Sequence, residues 1–243
     1  MPSLFISDLH LDNKRPDILR AFLHFLDHDA RQADELYILG DLFEAWVGDD
    51  DDSELAQTCQ RALKALSSSG TRLYYMHGNR DFLLGRQFAG ATGGEILPDP
   101  ILISLYGTPT LLMHGDSLCT ADTDYMAMRQ QLRGPEFQQH FLTQSLTERR
   151  EVAKQLRMVS AEANSNKAGD IMDVTPAAVE RVMAEHSCLQ LIHGHTHRPK
   201  IHSLQVNGQA AKRIVLGDWD EFLWYLIVDE SGYSLEKRSI PPL

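Results

Sequence analysis

The chain of 243 residues is 43% hydrophobic and 23% charged, a composition that excludes a disordered or fibrous protein. Its length suits one large α/β domain or two small ones. The formal net charge of −11 disfavours a protein that coats nucleic acid through its overall electrostatic field, so we expect no nucleic-acid partner.

The first 80 residues alternate apolar strands with amphipathic helices. Residues 3–7 predict a strand that runs into the letters DLH, and a helix follows Pro16. The strand ELYIL runs into GD, a helix covers about residues 53–69, and the strand RLYYM runs into HGN. This β-α-β-α-β order is typical of a mostly parallel sheet.

The second half of the chain contains further strands and one long helical segment. Strands are predicted in PTLLMHGD and LQLIHGHTH, and then in IHSLQV, KRIVLG and LWYLIVD, where short turns indicate antiparallel or mixed pairing. Residues 120–175 lack strand signals and carry apolar residues at helical spacing, among them Phe137, Phe141 and Leu156. We therefore predict one domain over residues 1–243, with a helical lid inserted at residues 120–175.

Three features predict a cytoplasmic protein. The N-terminus meets Asp8 before any apolar run of useful length, which is not typical of a signal peptide. No apolar run approaches the ~20 residues that span a bilayer. The three cysteines, Cys59, Cys119 and Cys188, show no CxxC spacing, which indicates a reducing compartment and neither a disulfide framework nor a zinc ribbon.

Five apolar strands end at polar clusters, in the letters ISDLH, ILGD, MHGNRD, LMHGD and IHGHTH. Because ligand sites in open α/β sheets lie outside the carboxyl ends of strands, we expect these side chains to meet in one pocket. Seven candidate metal ligands result, which are Asp8, His10, Asp41, Asn79, His114, His195 and His197. Seven ligands are more than the four that a tetrahedral zinc ion takes, but they suit two ions about 3.5–4 Å apart that share a carboxylate. The mixed donor set favours manganese, iron or zinc over calcium.

The motifs DLH, GD, GN, HGD and GHTH, in this order on strand ends, resemble those of the calcineurin-like metallophosphoesterase superfamily. The resemblance implies a four-layer αββα sandwich. It also implies a first metal ion held by Asp8, His10, Asp41 and His197. A second ion would be held by Asp41, which bridges the two, with Asn79, His114 and His195. His193 is expected to be a buried strand residue.

The third motif departs from the superfamily pattern, because Arg80 follows Asn79 where a histidine is usual. The missing histidine would protonate a leaving oxygen, a role worth about 10²–10⁴ in rate. A phosphate leaving group needs little such help, since its second pKa is about 6. Arginine instead offers a fixed charge and a fork for phosphate oxygens. We infer that the substrate contains a pyrophosphate linkage.

Three features resemble the UDP-2,3-diacylglucosamine diphosphatases: Arg80 in the third motif, the helical lid, and the stretch NSNKAGDIMDV (residues 164–174). The similarity to this family extends over nearly the whole chain. The resemblance implies hydrolysis of UDP-2,3-diacylglucosamine to UMP and 2,3-diacylglucosamine 1-phosphate in lipid A biosynthesis, by water activated at two Mn²⁺ ions. It implies peripheral association with the cytoplasmic face of the inner membrane. The catalytic residues would be Asp41, Asn79, Arg80 and His195. Substrate contacts would come from Asn79, Arg80, Asp122, Ser160, Asn164, Lys167 and His195.

The lid sequence supports two interpretations of its apolar and basic residues. An acyl groove is expected from Phe137, Phe141, Leu142, Leu146, Leu156, Met158 and Val159, although the same spacing equally predicts the core of a helical pair. The lid has a slight excess of positive charge from Arg149, Arg150, Lys154, Arg157 and Lys167. This charge suits an anionic membrane surface or an anionic nucleotide sugar, although the same residues also fit a solvated face. The acidic run Asp49–Asp52 is expected to form a solvated loop.

Two rival functions remain open at this point. A phosphodiesterase or nuclease acting on soluble nucleotides would need an exposed groove and the histidine that Arg80 replaces. A non-catalytic scaffold on the same fold could lose metal ligands without penalty, whereas every ligand position is filled here.

Overall fold

The protein is described here by a computed structural model that covers residues 1–165, 171 and 173–240, with the backbone alone for residues 161–165. The strands within these residues are β1 (Ser3–Ile6), β2 (Glu35–Leu39), β3 (Arg72–Met76), β4 (Gly94–Leu97), β5 (Ile101–Leu105), β6 (Thr108–Leu112), β7 (Gln190–His193), β8 (Lys200–Val206), β9 (Gln209–Val215), β10 (Phe222–Asp229) and β11 (Gly232–Ser239). The helices are α1 (Pro16–Asp27), α2 (Glu54–Ser68), α3 (Arg86–Thr92), α4 (Thr123–Leu132), α5 (Pro135–Thr143), α6 (Leu146–Ser165) and α7 (Pro176–Glu185).

The strands form two mixed sheets. The first has the order β11-β10-β1-β2-β3-β4, and its strands β1 to β4 are parallel. The second has the order β5-β6-β7-β9-β8, in which β6, β7 and β9 are parallel. The antiparallel β10–β11 and β8–β9 pairs confirm the mixed pairing expected at the end of the chain.

Alternation along the central strands places a core on each face of each sheet. In β1, Leu4 and Ile6 pack with α1 and α2, while Phe5 packs with Ile192 and Ile214 between the two sheets. On the far face of the second sheet, Leu191 packs with α7. Because strands buried on both faces are covered by helices on the outside, the result is the four-layer αββα sandwich that the resemblance to the superfamily implies.

The helix ends follow local chemistry. Helix α1 begins at Pro16, where the missing N–H costs nothing in the first turn. Helix α2 begins after Ser53, whose hydroxyl accepts a hydrogen bond from the N–H of Ala56 at 3.2 Å. These positions agree with the predicted helices. Strands β4, β5 and β11 and helices α3 and α7 were not among the predicted elements. Of these, β4, β5 and α3 are short, with 4, 5 and 7 residues.

The acidic run is a loop in which Asp50 and Asp52 are 58% and 70% exposed, as the sequence predicted, but its carboxylates are also paired. Asp49 accepts hydrogen bonds from three backbone N–H groups at the start of α3, at 2.8–3.0 Å. Asp50 pairs with the buried Arg149 of α6, and Arg150 reaches Asp51 at 2.7 Å and Asp52 at 2.5 Å. The run therefore attaches α6 to the domain, and it neutralises two of the basic residues that were expected to give the lid a positive excess.

None of the described helices combines the length with the apolar composition that a membrane-spanning helix needs.

Candidate metal centre

The parallel strands of both sheets bring the polar clusters together at one edge. Asp8 and His10 follow β1, Asp41 follows β2, and the backbone N–H of His10 donates to the carbonyl of Asp41 at 3.0 Å. In the second sheet, the N–H of Gly194 after β7 donates to the carbonyl of His114 after β6 at 2.9 Å. The seven candidate ligands are thus presented by turns that contact one another.

Five of these seven residues have left-handed backbone conformations. The φ angles are 55° at Asp8, 50° at His10, 54° at Asp41, 68° at His195 and 54° at His197. A non-glycine residue in this region costs of order 1–3 kcal/mol and persists only where surrounding contacts hold it. The concentration of such residues marks this edge of the sheets as a functional site.

The first cluster consists of Asp8, His10 and His197, whose ligand atoms lie within 4.8 Å of one another. The Nε2 atoms of the two imidazoles are 3.3 Å apart, and Nε2 of His197 is 3.5 Å from Oδ1 of Asp8. That Oδ1 atom is buried and has no hydrogen-bond partner among the described residues. An unpaired carboxylate oxygen facing two imidazole nitrogens fits a divalent cation.

Two carboxylates that the sequence did not assign lie behind these imidazoles. Oδ2 of Asp218 is 3.3 Å from Nδ1 of His197, and Oε2 of Glu44 is 3.1 Å from Nδ1 of His10. Each carboxylate favours a proton on Nδ1 and leaves Nε2 for a metal ion. Burial opposes charge on His197, but Asp218 and Asp8 outweigh it and raise its pKa to about 10.

The second cluster consists of Asp41, Asn79, His114 and His195. Oδ1 of Asn79 lies 2.9 Å from Nδ1 of His195 and 3.1 Å from Nε2 of His114, and that Nε2 is 3.9 Å from Oδ2 of Asp41. Nδ1 of His114 lies 2.8 Å from the carbonyl of Leu39, which fixes the lone pair on Nε2.

The atoms of this second cluster that face one another are all acceptors when neutral His114 carries its proton on Nδ1 and neutral His195 carries its proton on Nε2. Burial is the main cause that lowers the pKa of His195 to about 4, so His195 is neutral at pH 7. Turning the Asn79 amide by 180° would let its nitrogen donate to His195, His114 and Asp41, which shows that the present orientation has no donor. A divalent cation satisfies this set of oxygen and nitrogen lone pairs without that rotation.

Asp81 fixes the two turns that carry Asp41 and Asn79. Its buried carboxylate accepts hydrogen bonds from the backbone N–H groups of Gly78 at 2.9 Å, Asp41 at 3.2 Å and Leu42 at 2.8 Å. Burial, followed by the charge of Asp41, raises the pKa of Asp81, and the N–H of Gly78 works against this rise. Asp81 is therefore a positioning residue for the metal cluster.

Replacing Gly78 by alanine is expected to lower metal affinity and turnover by about 10²-fold, as loss of a ligand's support does. The new Cβ would lie 2.0 Å from Oδ1 and 2.3 Å from N of Asp41, so that ligand must move. Metal content and turnover of the purified variant measure the effect. Gly90→Ala is the matched control, because Gly90 lies in α3 with no atom within 4 Å of an added Cβ. Equal effects of both substitutions would contradict this role for Gly78.

The candidate substrate residues lie around a central cleft. This cleft is lined by His10, Asp41, Asn79, Arg80, Cys119, Asp122, Tyr125, Ser160, His195, Thr196, His197 and Arg198. It therefore collects Asp122 and Ser160 with Arg80. The side chain of Asn164 and all of Lys167 lie outside the described part of the chain. His193 is fully buried in β7, as expected.

A second cavity, the lid groove, opens from the central cleft and has a volume of about 790 Å³. Both cavities are lined by Asn79, Arg80, Tyr125 and Ser160. The other walls of the lid groove are mainly apolar, and they are formed by Ala45, Trp46, Phe82, Leu83, Met128, Leu132, Phe137, Phe141, Ala153 and Leu156, with Arg129, Arg133 and Arg157. The lid thus leaves an apolar space beside the polar cleft.

The lid residues divide into two groups. Phe137, Phe141 and Leu156 line the lid groove, whereas Leu142, Met158 and Val159 are 47–65% exposed to solvent. The prediction that Leu142, Met158 and Val159 line the groove is wrong, because these three side chains lie on the outer surface of α5 and α6. Leu146 is half-buried and does not line the groove.

Asp116 of the HGD motif attaches the lid to the metal site. Its buried carboxylate accepts hydrogen bonds from the Tyr125 hydroxyl at 2.8 Å and from Nε of Arg129 at 2.7 Å. Burial opposes its charge, but His114, Arg133 and Arg129 keep its pKa well below the usual range. The aspartate thereby holds α4 beside His195, whose ring centre is 5.9 Å from that of Tyr125.

Asp99 is a buried carboxyl group near Asp116, and its environment raises its pKa. Its carboxylate oxygens are buried without a hydrogen-bond partner among the described residues, and burial, with Asp116, raises its pKa to about 6. The unfolded value is about 3.9. Between about pH 4 and pH 6 the folded protein therefore binds more protons than the unfolded chain, and Asp99 makes stability fall as pH rises.

Replacing Asp99 by asparagine is expected to raise the free energy of unfolding at pH 8 by up to roughly 3 kcal/mol and to change it little at pH 4. Denaturant titrations of wild type and variant at both pH values measure the difference. Glu230→Gln removes an exposed carboxylate and serves as the control. The same change in stability at pH 4 and pH 8 would contradict the raised pKa.

Comparisons with known proteins agree with this geometry. The family model for calcineurin-like phosphoesterases matches residues 1–199. A UDP-2,3-diacylglucosamine hydrolase of Chromohalobacter salexigens is 56% identical, over 90% of this chain and 89% of that protein. One of Stutzerimonas stutzeri is 54% identical, over 95% and 96%.

Among solved structures, an archaeal phosphodiesterase shares the fold with a TM-score of 0.50 and 14% identity, over 98% of this chain and 100% of its own. The strand-end motifs, the converging ligand atoms and the sequence identity all lead to the same assignment. The chain belongs to the calcineurin-like phosphoesterase family and, within it, to the UDP-2,3-diacylglucosamine hydrolases.

Proposed function

We propose that this chain hydrolyses the pyrophosphate bond of UDP-2,3-diacylglucosamine to give UMP and 2,3-diacylglucosamine 1-phosphate, a step of lipid A biosynthesis. The observation that carries the proposal is the position of Arg80, which lines both the polar central cleft and the apolar lid groove. A substrate that joins a pyrophosphate to two acyl chains needs both environments at one junction. The names of the relatives indicate the same substrate.

The two ion sites of the proposal divide the seven ligands as the family motifs do. Asp8, His10 and His197 would hold the first ion, Asn79, His114 and His195 would hold the second, and Asp41 would be shared by both. Oδ2 of Asp41 lies 4.0 Å from His10 and 3.9 Å from His114, which supports the shared role. The ions are Mn²⁺ in this proposal, and when bound they supply an activated water and neutralise phosphoryl charge.

The chain's own residues orient the pyrophosphate and stabilise its charge. Nη1 of Arg80 is held by Glu44 at 3.4 Å and Nε of Arg80 lies 3.9 Å from Oδ2 of Asp41, so the charge of the guanidinium lies beside the proposed ion sites. Together with His195 it stabilises charge on the phosphoryl oxygens. The departing sugar phosphate is largely unprotonated at pH 7, because its second pKa is about 6. It therefore needs no general acid, which fits a site with arginine in place of a histidine.

The remaining substrate contacts belong to the lid, which we take as an insertion over residues 120–175. Asp122 and Ser160 line the central cleft, and Asn164 and Lys167 are proposed as further contacts by their motif. The acyl chains occupy the lid groove, against Trp46, Phe137 and Leu156. The enzyme acts without a nucleic-acid partner.

We place the enzyme at the cytoplasmic face of the inner membrane, held there peripherally. The exposed Leu142, Met158 and Val159 on α5 and α6 support this orientation, because apolar side chains on a lid surface can enter the lipid interface. Val159→Asp is expected to reduce co-sedimentation with anionic phospholipid vesicles several-fold. Leu189→Asp, at an exposed leucine before β7, is the control. Unchanged co-sedimentation of the Val159 variant would rule out this surface.

The experiment that tests the function is product analysis with UDP-2,3-diacylglucosamine and with a generic aryl phosphodiester, each with and without Mn²⁺. The proposal predicts Mn²⁺-dependent release of UMP from the lipid nucleotide and little cleavage of the diester. Cleavage of the aryl diester alone would leave a general metal-dependent phosphodiesterase, the second candidate, in its place.

A further inference from the structure

A third cavity opens from the central cleft, and we call it the basic groove. Its lining residues are Asp173, Thr196, Arg198, Pro199, Lys200, His202, Arg213 and Val215, and its volume is about 630 Å³. Thr196 and Arg198 also line the central cleft, whereas no residue of the basic groove lines the lid groove. The central cleft therefore gives access to two separate cavities of different chemistry.

The sheet geometry explains the shape and charge of the basic groove. His202 in β8 faces Arg213 in β9, and Lys200 faces Val215 two residues further along the same pair of strands. Because side chains alternate along a strand, these four side chains share the outer face of the second sheet. The groove collects three fixed positive charges, with Arg198, in a chain whose net charge is −11.

Three polar side chains of the groove, those of Asp173, Arg198 and Arg213, are held in position by contacts. Arg198 pairs with Oδ2 of Asp173 at 2.6 Å, and Asp173 also accepts a hydrogen bond from the N–H of Val174 at 2.7 Å. Nη1 of Arg213 lies 3.2 Å from Nε2 of the buried His193. The groove thus offers preorganised cationic donors, one carboxylate and the apolar side chain of Val215.

We propose that the basic groove binds the uridine 5′-phosphate arm of the substrate. This inference rests on the proposed function, in which the lipid arm leaves the pyrophosphate through the lid groove and the nucleotide arm needs a second, polar route. Arg198 contacts phosphate oxygens at the entrance. Asp173 accepts hydrogen bonds from the ribose hydroxyls, as acidic residues do in other nucleotide sites. Arg213 and His202 donate to the carbonyl oxygens of uracil.

The test compares two ligands that share a phosphate but differ in the nucleoside. Full-length, Mn²⁺-loaded protein is titrated by calorimetry with UMP and with methyl phosphate, so that contacts of the phosphate with the ions are common to both. We expect UMP to bind at least about tenfold tighter than methyl phosphate. His202→Ala should reduce that ratio at least about threefold. Arg198→Gln should weaken UMP binding, and Arg181→Gln, at an exposed arginine of α7, should change neither affinity.

Turnover supplies a second measurement on the same variants. His202→Ala should weaken inhibition by the product UMP and leave inhibition by 2,3-diacylglucosamine 1-phosphate unchanged, because that product occupies the lid groove. Equal affinities for UMP and methyl phosphate in the wild type, or an unchanged ratio in His202→Ala, would overturn the proposal. Hydrolysis of the lipid nucleotide together with equal affinities would reject the groove alone. A high ratio without hydrolysis would reject the proposed function and leave the groove as a uridine nucleotide site.

Discussion

Asp41→Asn is expected to lower kcat by about 10³-fold or more and to reduce the bound metal to at most one ion per chain. The carboxylate lies between the two clusters, 4.0 Å from His10 and 3.9 Å from His114. Charge stabilisation by paired ions contributes several kcal/mol to such reactions, and about 4 kcal/mol corresponds to 10³ in rate. Asparagine keeps the shape of the side chain and removes its charge.

The measurement combines metal analysis of the purified variant with single-turnover kinetics on UDP-2,3-diacylglucosamine. Asp27→Asn is the matched control, because Asp27 is an exposed residue at the end of α1 that pairs with Arg31, four residues further along the chain. A variant at Asp41 that retained two ions and near-normal kcat would remove the bridging carboxylate from the mechanism.

Arg80→His is expected to reduce kcat/KM for the pyrophosphate substrate by about 10²-fold and to raise the rate on an alkyl phosphodiester. The first effect follows because a positioned cation on the phosphoryl oxygens is lost, and removing one such donor costs about 10²–10³. The second follows because the imidazole can protonate an alkoxide leaving group, which an arginine cannot do.

Both rates should be measured on the same protein preparation, with Arg61→Gln as a control at an exposed arginine of α2. If anhydride hydrolysis stayed intact and the alkyl diester were cleaved no faster than background, the link between Arg80 and the anhydride substrate would be wrong.

The strand-end motifs predicted the place and the composition of the site for a physical reason. Polar residues directly after apolar strands can only lie at the carboxyl edge of a parallel sheet, so Asp8, Asp41 and His114 were expected to meet there. The four layers of the fold were implied by the resemblance to the metallophosphoesterases, and the strands buried on both faces agree with them. The left-handed backbone at these turns was not predicted, because non-glycine residues adopt it only under tertiary contacts.

The side chains that position the ligands and the lid were not predicted from the sequence, for a related reason. Glu44 and Asp218 lie far from His10 and His197 along the chain, and no local spacing links them. Arg149 and Asp50 are 99 residues apart, so no local pattern shows that the acidic run also holds the lid helix. Residues that act through another side chain become visible only when the fold brings the two together.

The most direct test of the central claim is a titration of metal-free protein with Mn²⁺ while UMP release from UDP-2,3-diacylglucosamine is followed. A cluster of seven ligands that holds two ions predicts no UMP release without metal and full activity at two equivalents per chain. UMP release from the metal-free protein, or maximal activity at one equivalent, would contradict hydrolysis by a dinuclear centre.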